Sequence, residues 1–179
     1  ATVTNGGIVT AVGAGTVTFT FTSSGTGCAS APTGVVAVTA CNSLAAVKVF
    51  LSGPYDESLD LMGDNLRVAG LIPNAQPYGG SQYGDFNYNG TETIGAGVLG
   101  TSGANAIVDW VMLELRSPVS PGAVLARKAA LVQRDGDVVE SSDGVSPVVF
   151  VGATAGSYYV AVKHRNHLGV MTAAAITLS

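Results

Sequence analysis

Residues 16–22, TVTFTFT, alternate without error between hydroxyl and apolar side chains. A side-chain period of two belongs to a β-strand, so Val17, Phe19 and Phe21 share one face and the four threonines the other. This is the pattern of a half-buried antiparallel strand with a hydroxyl-covered solvent side. The same period returns along the chain. Val47, Val49 and Leu51 face one way, Lys48 and Phe50 the other. In residues 107–116, IVDWVMLELR, Ile107, Val111, Leu113 and Leu115 share a face with Asp109, and Trp110, Met112, Glu114 and Arg116 share the opposite one. Apolar residues on both faces predict a central strand. Leu125, Ala129 and Leu131 are in phase within 123–133, and short strands are expected at 1–4, 35–39, 138–140 and 148–151. Residues 157–165 close the series, with Tyr158, Val160 and Val162 on one side and Tyr159, Ala161, Lys163 and Arg165 on the other. Turn signals separate these runs: Asn5-Gly6-Gly7, Gly13-Ala14-Gly15, Gly53-Pro54, Pro118 with Pro121, and Asp135-Gly136. Strands at roughly ten-residue spacing with such punctuation predict an all-β chain of antiparallel β-sandwich type. At most one short helix is expected, near 58–70. Leu59, Met62, Leu66 and Ala69 recur there at helical spacing, Ser58 can cap it, and Gly70 with Pro73 stops it. Gly63 narrows the expectation to two turns over 64–69.

Composition excludes several classes. The chain of 179 residues is 47% hydrophobic but only 11% charged, with a net charge of −4 and 24 glycines. Plentiful apolar residues and a small net charge are not a disordered composition. Without about 18 consecutive apolar residues, the sequence predicts no membrane-embedded helix. Few Lys and Arg on an acidic chain argue against nucleic acid as a partner. The chain begins within a strand pattern and without Met, as a mature secreted protein or a piece of a longer one would. Two cysteines fit an oxidising, extracellular compartment. A Cys28–Cys41 disulfide would close a loop of about 14 residues, worth on the order of 3 kcal/mol; two buried free thiols are the alternative.

Residues 1–22, ATVTNGGIVTAVGAGTVTFTFT, carry a Gly-Ala-Gly turn between two Val/Thr strands. This pattern, extending over residues 1 to about 40, resembles the C-terminal half of a bacterial immunoglobulin-like repeat of the second group. The resemblance implies a partial immunoglobulin-like segment over 1–41, whose first strands are absent. Val17, Phe19 and Phe21 then need a cover, from the following domain or a neighbouring subunit. Residues 46–179 are expected to form a β-sandwich domain. Within them the series KVFLSGPYD, MGDNLRVAGLIP, IVDWVMLELR, LVQRDGDVVE and AGSYYVAVKHRNHLGVMT resembles a module of very large secreted hemagglutinin-like surface proteins of Bacteroidota, exported by the type IX route. That resemblance implies an extracellular, non-enzymatic surface protein with adhesive, matrix or fibre roles, and brings no catalytic residue with it.

Candidate chemistry is sparse. There is no Gly-Xaa-Ser-Xaa-Gly elbow, and a paired-carboxylate site built on residues such as Asp109 and Glu114 needs a cleft that sequence does not give. No enzyme activity is expected. The only histidines, His164 and His167, stand at the end of the 157–165 strand. Zinc would need further ligands, so a hydrogen-bonded structural role is expected, with Asp109, the lone charge on an apolar face, as partner of His164 or Arg165. For Ca²⁺, Asp135, Asp137, Glu140 and Asp143 gather hard oxygen ligands around two turns, and Asp56, Glu57 and Asp60 form a second group; ordinary solvated turns are the competing explanation. Tyr78, Tyr83, Phe86 and Tyr88 lie among Gly, Asn and Gln in 73–103. Such loops suit ligand binding, sugar rings included, or pack over a sheet edge. Asn89-Gly90-Thr91 is formally a glycosylation sequon.

Two functions of different class follow. One is a structural subunit or repeat of a cell-surface fibre, a pilus-like filament or adhesin stalk, whose partner is itself, head-to-tail, or neighbouring domains of a longer chain, joined by β-strand contacts. The other is a carbohydrate- or host-surface-binding module that uses the 78–88 loop.

Overall fold

The computed structural model describes residues 2–3, 9–10, 15–38 and 42–179. The chain divides into two units, Ala1–Cys41 and Asn42–Ser179. In the first, β1 (Thr2–Val3) pairs with β2 (Val9–Thr10), and β3 (Gly15–Val17) with β4 (Val36–Val38), both antiparallel. The strand expected over 16–22 leaves the regular ladder after Val17. Phe19 and Phe21 continue in looser pairing, with Thr33 N–H donating to the Phe19 carbonyl at 2.8 Å and Ser30 N–H to the Phe21 carbonyl at 2.7 Å. Val17 and Phe19 are half-buried and Phe21 is 62% exposed. The two glycine turns read near residues 5 and 13 fall largely outside the described residues.

The second unit is built on β5 (Asn42–Ala45), β6 (Val47–Lys48), β7 (Tyr55–Asp56), β8 (Leu61–Met62), α1 (Asn65–Val68), β9 (Ile107–Arg116), β10 (Val124–Gln133), β11 (Asp137–Val139), β12 (Val148–Val151), β13 (Gly156–His164), β14 (His167–Met171) and β15 (Ile176–Leu178). Every described pairing is antiparallel. One seven-stranded sheet runs β14-β13-β9-β10-β11-β6, and β15 continues the β14 edge along β13. The β5–β12 ladder and the β7–β8 hairpin are separate two-stranded pieces.

Both faces of β9 are buried, as its pattern requires. On one face Val111, Leu113 and Leu115 pack with Ala130 and Val132 of β10, Val160 and Val162 of β13, and Ala45, Val148 and Phe150 of the β5–β12 ladder. On the other, Trp110, Met112 and Leu131 are covered by Ile72, Tyr78, Ile94 and Val98 of the long loop. Gly95 lets that loop come close. Its N–H donates to the Ser141 carbonyl at 2.8 Å, and a Cβ there would overlap the Ser142 carbonyl.

Two bulges alter the expected faces. Val132 pairs with Asp109 but Gln133 with Ile107, so Val108 is an extra residue. Ile107 therefore joins the Trp110 side and Val108 the Val111 side. A second bulge at Leu125 turns that side chain outward, 57% exposed, and takes it out of phase with Ala129 and Leu131. The helix is also shorter than predicted. Asp60 adopts φ 53°, which turns 55–62 into the β7–β8 hairpin, and only Asn65–Val68 is helical. Met62 is buried as a strand residue, while Leu59 is 60% exposed. Among the described residues no helix is long and apolar enough to cross a membrane.

Candidate functional site

Three places in the second unit gather groups capable of recognition. The first is the tyrosine loop. Tyr78, Tyr83 and Tyr88 line an open cleft of about 510 Å³ with Gly79, Gly80, Gly84, Asn87 and Asn89. Three of the four aromatic rings of this segment interlock: Phe86 lies 4.6 Å from Tyr78 and 6.3 Å from Tyr83, centroid to centroid. Their roles differ. Tyr78 is a core residue, 1% exposed, whose hydroxyl donates to the Trp110 carbonyl at 2.7 Å, and burial pushes its phenol well above the ordinary value. Tyr88 bonds Glu92 and accepts the Ala129 N–H at 3.2 Å; burial, then the bond to Glu92, raises its phenol as well. Tyr83 is half-buried and carries no side-chain hydrogen bond among the described residues. Phe86 is a partly buried member of the core beneath the loop and does not line the cleft.

The second place is the corner where β13 turns into β14. Asp109 is 3% exposed and His164 7%. His164 Nε2 lies 3.2 Å from Asp109 Oδ2, and Arg165 Nη2 donates to Oδ1 at 2.9 Å and Oδ2 at 2.7 Å. The Trp110 N–H adds a bond to Oδ1 at 2.8 Å. Both partners expected for Asp109 from the sequence are thus in place. Backbone N–H groups can only donate, which assigns the imidazole protons. Asn166 N–H points at His164 Nδ1 at 3.1 Å, so that nitrogen accepts and Nε2 donates to Asp109. Gly53 N–H points at His167 Nε2 at 3.3 Å, so His167 carries its proton on Nδ1, 2.9 Å from His164 Nδ1. One directional chain therefore runs from Gly53 through both histidines to Asp109. Burial of Asp109 opposes ionisation, but His164, Arg165 and the Trp110 N–H outweigh it and hold the carboxyl below the usual range. Burial, and then the neighbouring His164, lower the His167 value.

The third place escaped the sequence reading. Glu114 is fully buried, and three cations converge on it: Arg116 Nε at 3.0 Å, Arg127 Nε at 3.1 Å and Lys163 Nζ at 3.2 Å. Burial works against its ionised form, but the bonds from Arg116, Lys163 and Arg127 prevail and depress its value. Strand register is the only signal that could have found it. Arg127 of β10 and Ala161 of β13 both stand opposite Glu114, which places Lys163 one pleat away.

The carboxylates considered for calcium do not converge. Asp135 and Asp137 flank Lys48, at 3.8 and 2.9 Å. Glu140 accepts the Val149 N–H at 2.7 Å, and Asp143 closes a turn by accepting from Val145 N–H at 2.9 Å and Ser146 N–H at 3.0 Å. In the second group, Asp56 binds Ser58 and Asp60 binds the Tyr55 hydroxyl. Among the described residues no group of three His, Cys, Asp or Glu side chains could hold a metal ion. Cys28 is an exposed free thiol, which gives the expected disulfide no support, and Cys41 lies outside the described residues.

Two apolar grooves, of about 390 and 220 Å³, are each lined by residues from both edges of the seven-stranded sheet. Val47, Lys48, Val49 and Phe50 come from the β6 side and Leu168, Val170 and Met171 from β14, with Val160 and Val162 of β13 between them. The sheet curls so that the β6 side and β14 line the same grooves, and among the described residues β6 and β14 do not pair. Comparison of the chain with protein-family models, curated proteins and solved structures returned no match.

Proposed function

We propose that the chain is a non-enzymatic, extracellular structural protein, a subunit or repeat of a cell-surface fibre that assembles through β-strand contacts. The observation that carries this reading is the open seam between β6 and β14. Among the described residues neither β6 nor β14 pairs with a further strand along its outer edge, and both line an apolar trough floored by Val160 and Val162. One additional strand along the β14 edge would pair its backbone groups and bury Val170, 53% exposed, and Met171, 42% exposed. The occupant we assign is residues 16–22 of a second copy. That segment is uncharged, alternates at the strand period, and presents Val17, Phe19 and the exposed Phe21 as pegs. A contact between different parts of two copies is head-to-tail and gives a filament where it does not close. The partial immunoglobulin-like character of residues 1–41 belongs to the same reading and rests on its sequence motif. Negative-stain electron microscopy of the purified chain tests it. Filaments with a regular repeat are expected, and Phe21→Asp and Val170→Asp should each reduce them to single subunits. A chain that stays monomeric at all concentrations sinks the proposal.

A second reading is favoured by the tyrosine cleft: a carbohydrate-binding module. Exposed ring area beside the Asn87 and Asn89 amides suits a sugar's apolar face and hydroxyl rim. Binding to a glycan array that Tyr83→Ala abolishes would support it, and an array without signal would remove it. The two readings are compatible, since a fibre subunit can carry an adhesive loop.

A further inference from the structure

The cluster on Glu114 has more charge than it needs. Three cations face one carboxylate, which leaves two positive charges on a chain whose net charge is −4. Three of its eight Lys and Arg residues meet at this point. A buried carboxylate needs compensation, but one well-placed guanidinium already supplies it, as Arg165 does for Asp109. The cations are not sealed in: the side chains of Arg116, Arg127 and Lys163 are 19, 26 and 32% exposed. Among the described residues Arg127 uses only Nε, toward Glu114, so its two terminal nitrogens remain for an incoming acceptor. Glu114 thus acts as an internal anchor that fixes the cations in place, a preorganised anion receptor.

The receptor adjoins the tyrosine loop. Lys163 Nζ lies 6.0 Å from the centroid of Phe86, whose ring packs on Tyr78 and Tyr83. Tyr88 accepts the N–H of Ala129, two residues from Arg127 on β10. Aromatic area and a cationic fork on one side of the sheet match a ring that carries a carboxylate. Resting on the carbohydrate reading, we propose that this face binds an acidic saccharide, its rings against Tyr83 and Tyr88 and a uronic carboxylate on Arg127 and Lys163. The planar, paired donors of a guanidinium fit a carboxylate better than a hydroxyl.

Titration calorimetry of the intact chain with a galacturonic-acid tetrasaccharide, against the same oligomer methyl-esterified, tests this without any variant. The acid form is expected to bind at least about tenfold more tightly, and its advantage to shrink as salt screens the exposed cations. Arg127→Gln and Lys163→Gln should each remove most of that advantage while the melting curve stays cooperative. Equal binding of acid and ester, with loss in Tyr83→Ala, overturns the acidic assignment and leaves the carbohydrate reading standing. No binding of either form, while an array of neutral glycans still gives signal, does the same. A tetraglutamate peptide that binds as tightly as the sugar acid overturns the saccharide assignment in favour of a generic anion site.

Discussion

Asp109 and Glu114 lie five residues apart on β9, on opposite faces of one sheet, and both are buried carboxylates. Asp109 is closed: one guanidinium, one imidazole and one backbone N–H satisfy it, and its cation Arg165 is itself only 14% exposed. Glu114 is open: its three cations reach from a buried anchor to the surface. The first arrangement is balanced in charge and ties together β9, the β13–β14 turn and the chain near Gly53. The second carries surplus positive charge where a ligand can reach it. Burial of a charge therefore says little about its role until its partners and their exposure are counted.

The contrast can be broken by substitution. Asp109→Ala would leave Arg165 uncompensated, with Nη1 already buried and unpartnered, and would orphan the Trp110 N–H. A loss of about 3–5 kcal/mol is expected in urea unfolding. Glu114→Ala should cost less, about 1–3 kcal/mol, because the freed cations can turn to water. A cost equal to that of Asp109→Ala would mean that the cluster is as closed as the corner. Next in size is the coupling between Asp109→Asn and His164→Gln in a double-mutant cycle, expected at about 0.5–3 kcal/mol. Full additivity would show that the 3.2 Å contact contributes nothing.

The smallest effect is acid sensitivity. His167 binds its second proton less readily folded than unfolded, because burial and His164 lower its value and because Nε2 already accepts from Gly53. The unfolded chain then takes up more protons below about pH 6.5. The stability linked to His167 is present above that pH and is lost as pH falls through the folded value. The melting temperature should drop between pH 7 and pH 5, and His167→Gln should flatten that part of the profile. An unchanged drop in the variant would place the acid response elsewhere.

Much of the fold was legible because alternation is a local property. Residues 107–116 and 148–151 are strands with the predicted ends, and the two-sided apolar pattern of β9 marks it as central. A partner for Asp109 in His164 or Arg165 was legible too, since a lone charge on an apolar face needs a partner of opposite character; that both bind it was not. The bulges at Val108 and Leu125 were not, because an extra residue leaves no mark on the side-chain pattern and is set by the neighbouring strand. The helix expected over 64–69 is present as Asn65–Val68, while Leu59 and Met62 fall outside it because a left-handed turn at Asp60 and the burial of Met62 as a strand residue outweigh a weak propensity.

Alternation and turn residues by themselves determined an all-β antiparallel chain, because each strand records its own period. Only the tertiary structure decided which side chains share a surface. Glu114, Arg116, Arg127 and Lys163 meet through the register of three strands, the tyrosines divide into core and cleft through the path of their loop, and β6 and β14 line one groove through the curl of the sheet. These are relations between residues far apart in the chain, fixed by the closure of long loops and the packing of two faces at once, and no short stretch of sequence contains them.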